Sequence, residues 1–295
     1  MKKKSLVRIS GGLGNQLFKF LAALNFAERQ DRELFVDISW YENSGKDSKI
    51  VSARQFELPF FPQIRELIRV KEASNDFMNL NLARLARRMP TKMLNLAGII
   101  TDRNAESIQI RKACYIEGNF ENWKVLPTDY KLQNLLTFPV MSSKKITQNQ
   151  LFGKDEFIAV HVRRGDFLNL PHIYDVLTPK YYSRAIASMR KKVGDLPLVL
   201  FSDSPKDADK WLRPSIVCDI IASSEKSNHS VDGMHLMSKA SGIICAHSTF
   251  SWWAAKIGTL NQNTRHVILP SRYFNNFTPI GHDLHFPEFE VVQVN

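Results

Sequence analysis

A histidine lies near the end of a mainly apolar run at residues 157–162, and two arginines follow the run. Side chains alternate faces along a strand, so His161 and Arg163 are predicted to project to one side and Arg164 to the other. Arginine stays charged and grips phosphate oxygens with two parallel hydrogen bonds, which suits a diphosphate leaving group. The pattern therefore predicts that Arg163 binds a diphosphate. In the simpler alternative, Arg164 pairs with Asp166 and the remainder is a polar strand end.

Hydroxyl side chains mark a second junction, where the apolar run 242–246 leads into a predicted helix. The N–H groups in the first turn of a helix bind anions, and serine or threonine at this point caps the helix. The junction therefore predicts either an anion site or a plain helix cap. The residues concerned are Ser248, Thr249, Phe250 and Ser251.

A glycine-rich turn lies between the first predicted strand and the first predicted helix. Its glycines let the backbone approach a ligand, and Asn15 and Gln16 add amide side chains that can hydrogen-bond to it. Asp37 ends the next predicted strand, about where the ribose-binding acid of a dinucleotide site falls. Leu17 stands in place of the third glycine of G-x-G-x-x-G, which argues against a Rossmann dehydrogenase. The glycines are Gly11, Gly12 and Gly14.

Two acidic patterns carry further hypotheses. Asp203 ends the predicted strand 196–202, where its carboxylate could accept two N–H bonds from guanine or cap the helix that starts near Pro205. Asp207 and Asp209 match the D-x-D pattern of metal-dependent sugar transferases. They fall inside a helix start, so an acidic first turn is the favoured interpretation and no metal site is predicted.

The elements that must position these residues alternate between short apolar runs and helical patterns, which indicates an α/β fold with parallel sheets. The polar run 141–150 is a candidate linker and divides the chain into domains at residues 1–145 and 146–295. Two such halves imply two Rossmann-like domains facing a cleft, with ligands at the carboxyl ends of the strands. The predicted strands are residues 5–10, 34–38, 115–118, 157–162, 196–202, 216–221, 242–246 and 266–269.

The 40 lysines and arginines exceed the 29 aspartates and glutamates and give the chain a net charge of +11. Such a balance favours anionic partners. Motifs for nucleic-acid binding do not accompany the charge, so a nucleotide substrate and an acceptor near an anionic membrane surface are expected instead of nucleic acid.

The cysteines and the pattern of apolar residues predict the cellular compartment of the protein. The three cysteines are widely spaced and odd in number, which fits reduced thiols better than disulfides or a zinc site. The basic residues at the start of the chain are not followed by the apolar core of a signal peptide, and no apolar run reaches the length of a membrane span. A cytoplasmic protein that begins at Met1 is expected, and the inner face of the membrane is its expected place of action.

In their order and spacing, these motifs resemble glycosyltransferase family 11, the α-1,2-fucosyltransferases that use GDP-fucose. The resemblance spans nearly the whole chain, from about Ile9 to Pro270. Any one motif is weak, but five in the right order are specific. The matching segments are residues 11–18, 161–166, 201–204 with Trp211, 236–238 and 248–253.

The resemblance implies a GT-B-like fold and inverting, metal-independent transfer of fucose from GDP-fucose to the 2-hydroxyl of a terminal β-galactoside. It implies no cofactor, since GDP-fucose is a co-substrate, and a galactose-terminated oligosaccharide or lipid-linked glycan as acceptor. A non-catalytic nucleotide- or glycan-binding protein on the same fold, or a dehydrogenase, is the alternative. The implied substrate-binding residues are Gly12, Gly14, Asn15, Gln16, His161, Arg163, Asp203, Asp232, Ser248, Thr249, Phe250 and Ser251.

The resemblance also assigns tasks to single residues and leaves the general base open. Arg163 is the implied catalytic clamp on the diphosphate, and Asp166 and His172 are candidate bases for the acceptor hydroxyl. The acidic pair of the family is represented by Asp232 followed by Gly233, so Asp232 is expected to take over a contact with guanine. Two lysines, Lys19 and Lys256, stand where less charged residues are expected.

Overall fold

The computed structural model describes residues 2–43, 54–71, 89–106, 115–138, 156–165, 173, 177–222 and 229–294. The chain divides into two units. The amino-terminal unit comprises Met1–Leu135 and Pro279–Leu284, and the carboxyl-terminal unit comprises Leu136–Thr278 and His285–Asn295. The predicted linker and the domain boundary after residue 145 lie outside the described residues.

The amino-terminal unit is built on a parallel sheet of four strands in the order β2-β1-β4-β3. Its strands are β1 (Lys3–Arg8), β2 (Arg32–Asp37), β3 (Ile99–Ile100) and β4 (Tyr115–Ile116). Its helices are α1 (Leu13–Glu28), α2 (Ser39–Asn43), α3 (Pro62–Leu67), α4 (Thr91–Ala97) and α5 (Asp129–Leu135), with 3₁₀ turns at Leu58–Phe60 and Trp123–Val125.

The glycine-rich turn connects β1 to α1. Gly11 has φ of +84°, a left-handed conformation that a residue with a side chain rarely adopts, so glycine is required there. Gly12 is the extended N-cap residue of α1. The helix then buries most of its circumference, which explains why its sequence is apolar on nearly every face.

The carboxyl-terminal unit is built on a parallel sheet of six strands in the order β10-β9-β8-β5-β6-β7. Its strands are β5 (Ile158–Val162), β6 (Leu198–Ser202), β7 (Ile220–Ile221), β8 (Gly242–Ile244), β9 (His266–Pro270) and β10 (Glu290–Val292). Its helices are α6 (Pro179–Val193), α7 (Pro205–Leu212), α8 (Ser230–Met237) and α9 (Thr249–Leu260). The predicted α/β architecture with parallel sheets is confirmed.

Central strands β5 and β8 are buried along their whole length, as expected for strands covered on both faces. Helix α6 packs over them and fixes their ends with two tyrosines. The hydroxyl of Tyr181 donates to the Cys245 carbonyl at 2.8 Å, and that of Tyr182 donates to the His161 carbonyl at 3.1 Å. The backbone at the ends of β5 and β8 is therefore fixed, and this positions the residues that follow each strand.

Strand ends were the least accurate part of the prediction. The predicted strand 216–221 is a strand only at β7, and β10 was not predicted. Strand β10 has no apolar alternation and is recognisable only from its pairing with β9. Cys218 and Cys245 are buried free thiols, as expected, and burial raises the pKa of each to about 12. Across the described residues no helix combines the length and apolarity needed to cross a membrane.

Candidate active site

Arg163 and Asp203 form an ion pair at the carboxyl edge of the larger sheet. Strands β5 and β6 pair in parallel with Val162 opposite Ser202, so the residue after each strand comes next to the other. The Nη1 atom of Arg163 lies 3.1 Å from Oδ2 of Asp203, with the two side chains only 16% and 21% exposed. The pair fixes the guanidinium at the edge where ligands of parallel sheets bind.

Asp203 is also held by backbone groups. Its Oδ1 atom accepts the N–H of Arg164 at 3.2 Å, and the N–H of Gly165 donates to the same carboxylate. Burial disfavours its charge, but Arg163 and these two N–H groups outweigh burial and lower the pKa of Asp203. A Cβ at Gly165 would come within 2.3 Å of Oδ2, so only glycine allows the chain to pass this close.

These contacts bear on the two hypotheses for Asp203. The N-cap of α7 is Ser204, and it forms no side-chain capping hydrogen bond; Asp203 instead faces back toward β5. Apart from the Ser202 hydroxyl, which donates to Oδ1 at 3.4 Å, its described hydrogen-bond and ion-pair partners lie in the arginine segment. The predicted contact of Asp203 with guanine stays a prediction.

Arg164 projects to the other side of the strand end, as the alternation predicts. Its guanidinium lies over the ring of Trp211 at 4.4 Å, and the Tyr182 ring meets Trp211 edge-on at 6.0 Å. This cation–π contact gives Arg164 a structural task. Asp166, its suggested partner, and His172 both lie outside the described residues.

His161 is 4% exposed and lies under the start of α9, with its ring 5.7 Å from the Phe250 ring. Burial, reinforced by the charge of Arg163 and opposed by Asp203, lowers the pKa of His161 to about 4. The imidazole is therefore neutral at neutral pH. Its Nδ1 atom is buried and has no hydrogen-bond partner among the described residues.

The hydroxyl run after β8 caps α9, and anion binding at the same junction stays a prediction. Ser248 is the N-cap, and its Oγ accepts the Phe250 N–H at 3.2 Å. Ser251 is fully buried and donates to the Ser248 carbonyl at 3.1 Å. Because β8 neighbours β5 in the sheet, the positive end of this helix dipole and Arg163 belong to the same sheet edge. Thr249 opens the helix and is partly exposed.

Helix α8 brings Asp232 to the neighbourhood of Phe250. Asp232 lies in the first turn of α8, and the next residue, Gly233, would place a Cβ 3.6 Å from the Phe250 ring. One turn later, His235 stacks on Phe138 with centroids 4.3 Å apart. Asp232 is predicted to take over a contact with guanine from the family's usual acid. Its location is compatible with that contact, which stays a prediction.

These residues were predicted from motifs, and the comparison with known proteins agrees with the motifs. Residues 7–279 match Glycosyl transferase family 11. The chain belongs to this family. It is a glycosyltransferase.

Two Escherichia coli proteins are similar to this family member along most of its length. One is the O-antigen biosynthesis glycosyltransferase WbnK, 25% identical, with 90% of this chain and 93% of WbnK covered. The other is an alpha-1,2-colitosyltransferase, 26% identical, with coverage of 93% and 95%.

Among solved structures, the fucosyltransferase NodZ from Bradyrhizobium shares the fold with a TM-score of 0.54 at 15% identity, covering 86% of this chain and 92% of NodZ. A second structure of NodZ, an alpha-1,6-fucosyltransferase soaked with GDP-fucose, gives a TM-score of 0.52 at 15% identity, with coverage of 87% and 93%. At this identity the likeness shows the fold alone, and it confirms the GT-B-like fold class.

The predicted residues of the amino-terminal unit lie at the turn before α1 in this glycosyltransferase. Gln16 is fully buried, and backbone groups satisfy its amide: its Nε2 donates to the carbonyls of Gly11 at 3.1 Å and Gln55 at 2.7 Å, and its Oε1 accepts the Glu57 N–H at 2.8 Å. Gln16 therefore holds the turn together, and its contact with substrate stays a prediction. Gly12, Gly14 and Asn15 occupy the turn and the first helical residues.

A divalent-metal site has no candidate in the described part of the chain, where no group of three or more histidine, cysteine or acidic side chains is placed to hold a metal ion. Asp207 lies in the first turn of α7, and Asp209 accepts from Arg213 at 2.5 Å, one turn further on. The acidic first turn favoured over a D-x-D metal motif fits these positions.

Sequence reasoning missed Tyr182 and the task of Gly165. Tyr182 anchors β5 from a helix that is 21 residues away, and Gly165 matters because Asp203 occupies the space where its side chain would be. Pairing the sequences of β5 and β6 as parallel neighbours would have suggested the close approach of Gly165 to Asp203, since that pairing aligns the two strand ends.

Proposed function

We propose that this glycosyltransferase transfers L-fucose from GDP-β-L-fucose to the 2-hydroxyl of a terminal β-galactoside, with inversion at the sugar carbon and without a metal ion or another cofactor. The sugar acceptor belongs to a surface glycan, which the similarity to the O-antigen biosynthesis glycosyltransferase WbnK favours. The NodZ structure soaked with GDP-fucose supports the choice of donor, because it has the same fold.

The observation that carries the proposal is an anchored arginine at the same sheet edge as the start of α9. Arg163 has a fixed position through Asp203, and the capped N-terminus of α9 emerges from the adjacent strand's end. A guanidinium and a helix N-terminus together suit a diphosphate. The neutral imidazole of His161 neither adds to nor cancels this positive charge.

In the proposed reaction the acceptor oxygen bonds to the anomeric carbon of fucose as the bond from that carbon to the β-phosphate oxygen breaks. The electron pair of the broken bond stays on GDP, and Arg163 stabilises the charge that builds there. Asp203 takes no part in bond making: it keeps the guanidinium oriented before the charge develops, so little reorganisation is needed during the reaction. The acceptor proton passes to a general base, for which Asp166 and His172 remain the proposed candidates.

The site of action proposed for the enzyme is the cytoplasmic face of the inner membrane, where a lipid-linked glycan is the acceptor. The net charge of +11 favours approach to an anionic lipid surface. No nucleic-acid partner is proposed.

A second donor deserves a direct test because one relative is a colitosyltransferase. Colitose lacks the 3-hydroxyl that fucose carries, so the same diphosphate site could serve either GDP-sugar. Family membership removes the dehydrogenase alternative, whereas a non-catalytic binding protein is distinguished by turnover.

The test is GDP release from GDP-fucose in EDTA with lactose as acceptor, for the wild type and Arg163→Ala. We expect fucosylated lactose from the wild type and a loss of about 10²-fold or more in kcat for the variant. Arg213→Ala is the matched control, since Arg213 is a surface arginine of the same unit, 56% exposed in its ion pair, and its loss should change kcat by less than twofold.

Three results would revise the proposal. Dependence on added manganese would overturn metal independence. Turnover of GDP-colitose but not GDP-fucose would change the donor, and binding of GDP without turnover of either sugar across a broad panel of acceptors would favour the non-catalytic alternative.

A further inference from the structure

A buried lysine stands next to the glycine-rich turn. Lys19 lies in the second turn of α1 and is 7% exposed, among the apolar side chains of that helix. Burying an ammonium group is unfavourable unless it is hydrogen-bonded and faces opposite charge. A lysine retained at such a position needs both, and the structure supplies them.

The opposite charge comes from three carboxylates of the amino-terminal unit. Burial lowers the pKa of Lys19, and Glu117, Asp102 and Glu121 oppose that effect, while Arg8 adds to it. These acids follow the ends of β3 and β4, so they and Lys19 meet at the carboxyl edge of the smaller sheet.

The hydrogen bond connects Lys19 to the turn. Its Nζ donates to the Ser10 hydroxyl at 2.6 Å, and Ser10 directly precedes Gly11, whose left-handed conformation begins the turn. Gly11 also accepts from Gln16 and from the Tyr41 hydroxyl at 3.0 Å. Side chains thus hold the chain at two successive residues: Gln16 and Tyr41 bind the Gly11 carbonyl, and Lys19, the charged one, binds the Ser10 hydroxyl.

Glu121 is the member of this group that titrates near neutrality. Its side chain is 15% exposed, and its described polar contact is His282, whose Nε2 lies 3.5 Å from Oε2. Burial first, then the charge of Asp102, raises the pKa of Glu121 to about 7, while Lys19 opposes the rise. Above pH 7 the carboxylate is charged and compensates Lys19; below pH 7 that compensation is lost.

We propose that Lys19 is a positioning residue: its ammonium group, compensated by Glu121 and the neighbouring carboxylates, fixes Ser10 and with it the turn that carries Asn15. This inference rests on the proposed function in one respect, because it assumes that the turn contributes to transfer of the sugar. A displacement of a reacting group's neighbours by a fraction of an ångström is costly for the rate. Lys19 and Glu121 therefore affect kcat without contacting either substrate.

The experiment compares wild type, Lys19→Gln, Glu121→Gln and the double variant in two readouts. The first is kcat and KM for GDP-fucose with lactose between pH 6 and 8.5. The second is hydrogen–deuterium exchange of the peptide covering residues 10–16, corrected for the intrinsic effect of pH. The exchange readout does not depend on turnover, so it decides the inference even if the proposed function fails.

We expect Lys19→Gln to lower kcat about tenfold while KM for GDP-fucose changes less than twofold, and to increase exchange in the turn. Wild-type kcat should fall several-fold as the pH drops through 7, whereas Glu121→Gln should show the low value at every pH. The double variant places two neutral amides together and should recover kcat to within about threefold of the wild type.

Lys256→Gln is the matched control, because Lys256 is also a buried lysine, 2% exposed and 3.8 Å from the Phe286 ring centroid, in the carboxyl-terminal unit. It should lower the melting temperature and leave exchange in residues 10–16 unchanged. The inference would be overturned if hydrogen–deuterium exchange of residues 10–16 in Lys19→Gln were the same as in the wild type. A loss of kcat in Lys19→Gln that is equal at all pH values and is not relieved in the double variant would also overturn it. Should Lys19→Gln fail to fold, the pH profile and exchange of Glu121→Gln decide alone.

Discussion

The carboxyl edges of the two sheets both gather buried charges, but with opposite balance. At the larger sheet, Arg163 faces one described carboxylate, that of Asp203, while the Arg164 guanidinium lies over Trp211 and His161 is neutral. At the smaller sheet, the cations Arg8 and Lys19 meet the carboxylates of Asp102, Glu117 and Glu121, and Asp37 lies opposite Arg8 at the end of β2. The same parallel architecture thus gives one edge suited to an anionic ligand and another whose charges compensate each other internally.

The difference shows how the task of a buried arginine or lysine depends on its partners. Arg163 remains partly exposed, at the sheet edge where ligands of parallel sheets bind. Lys19 is enclosed, and its ammonium serves the protein's own backbone turn through Ser10. The following variants test this contrast, from the largest expected effect to the smallest.

Asp203→Ala should have the largest effect. It removes the carboxylate that orients Arg163 and the acceptor for two backbone N–H groups, leaving a largely buried cation without its partner. We expect kcat/KM for GDP-fucose to fall about 10²- to 10³-fold, measured on protein whose circular dichroism matches the wild type. Asp209→Ala removes the carboxylate that faces Arg213 on α7 and serves as control; an equal loss there would contradict the assignment.

Gly165→Ala should lower kcat/KM about tenfold by displacing the same carboxylate. The added Cβ would lie 2.3 Å from Oδ2, so Asp203 or the backbone must shift. Gly233→Ala is a good comparison, because its Cβ finds ordinary contact at 3.6 Å from Phe250 and alanine favours the helix. Urea unfolding should show a loss of about 1–2 kcal/mol for the first variant and none for the second. Similar kinetics for both would remove the steric argument.

Glu121→Gln should change how stability depends on pH. The pKa of Glu121 in the folded chain is about 7, above its usual value near 4.5, so its contribution to stability is complete below pH 4.5 and disappears as the pH rises through 7. Between pH 5 and 8 the wild type should therefore lose on the order of 2 kcal/mol more than the variant, measured by urea unfolding at each pH. Parallel curves would show that Glu121 is not a buried acid.

Tyr182→Phe should have the smallest effect. It removes the 3.1 Å hydrogen bond to the His161 carbonyl but keeps the ring against Trp211. A loss of about 1 kcal/mol in unfolding free energy is expected, with less than a threefold change in kcat/KM. Tyr181→Phe removes the corresponding bond to Cys245 and should cost a similar amount. A far larger kinetic loss in Tyr182→Phe alone would mean that its hydroxyl belongs to the reaction.

Much of the fold could be predicted from the sequence because periodicity and turn chemistry are local. The run into His161 is apolar at every position, which predicts a strand buried on both faces, and β5 is one. The glycines before α1 predict a tight turn, and Gly11 has the conformation that requires glycine. Family membership was also predictable, since it rests on the order of motifs along the chain.

Contacts between distant segments could not be predicted in this way. Nothing local to Asp203 distinguishes a guanine acceptor from a helix cap; its pairing with Arg163 depends on the register of β5 and β6. Likewise, Lys19 is unexpected within α1, and it becomes explicable only when Asp102, Glu117 and Glu121 converge on it.

The sequence by itself thus determined the residue types available for chemistry, the strand–helix alternation that carries them, and the family. Only the tertiary structure decided which charges compensate one another, because electrostatic energy depends on separation in space and on burial, and neither can be obtained from spacing along the chain. That is why the motif residue Gln16 proved to satisfy backbone groups of its own turn, while Glu121, outside the predicted site, faces a buried lysine.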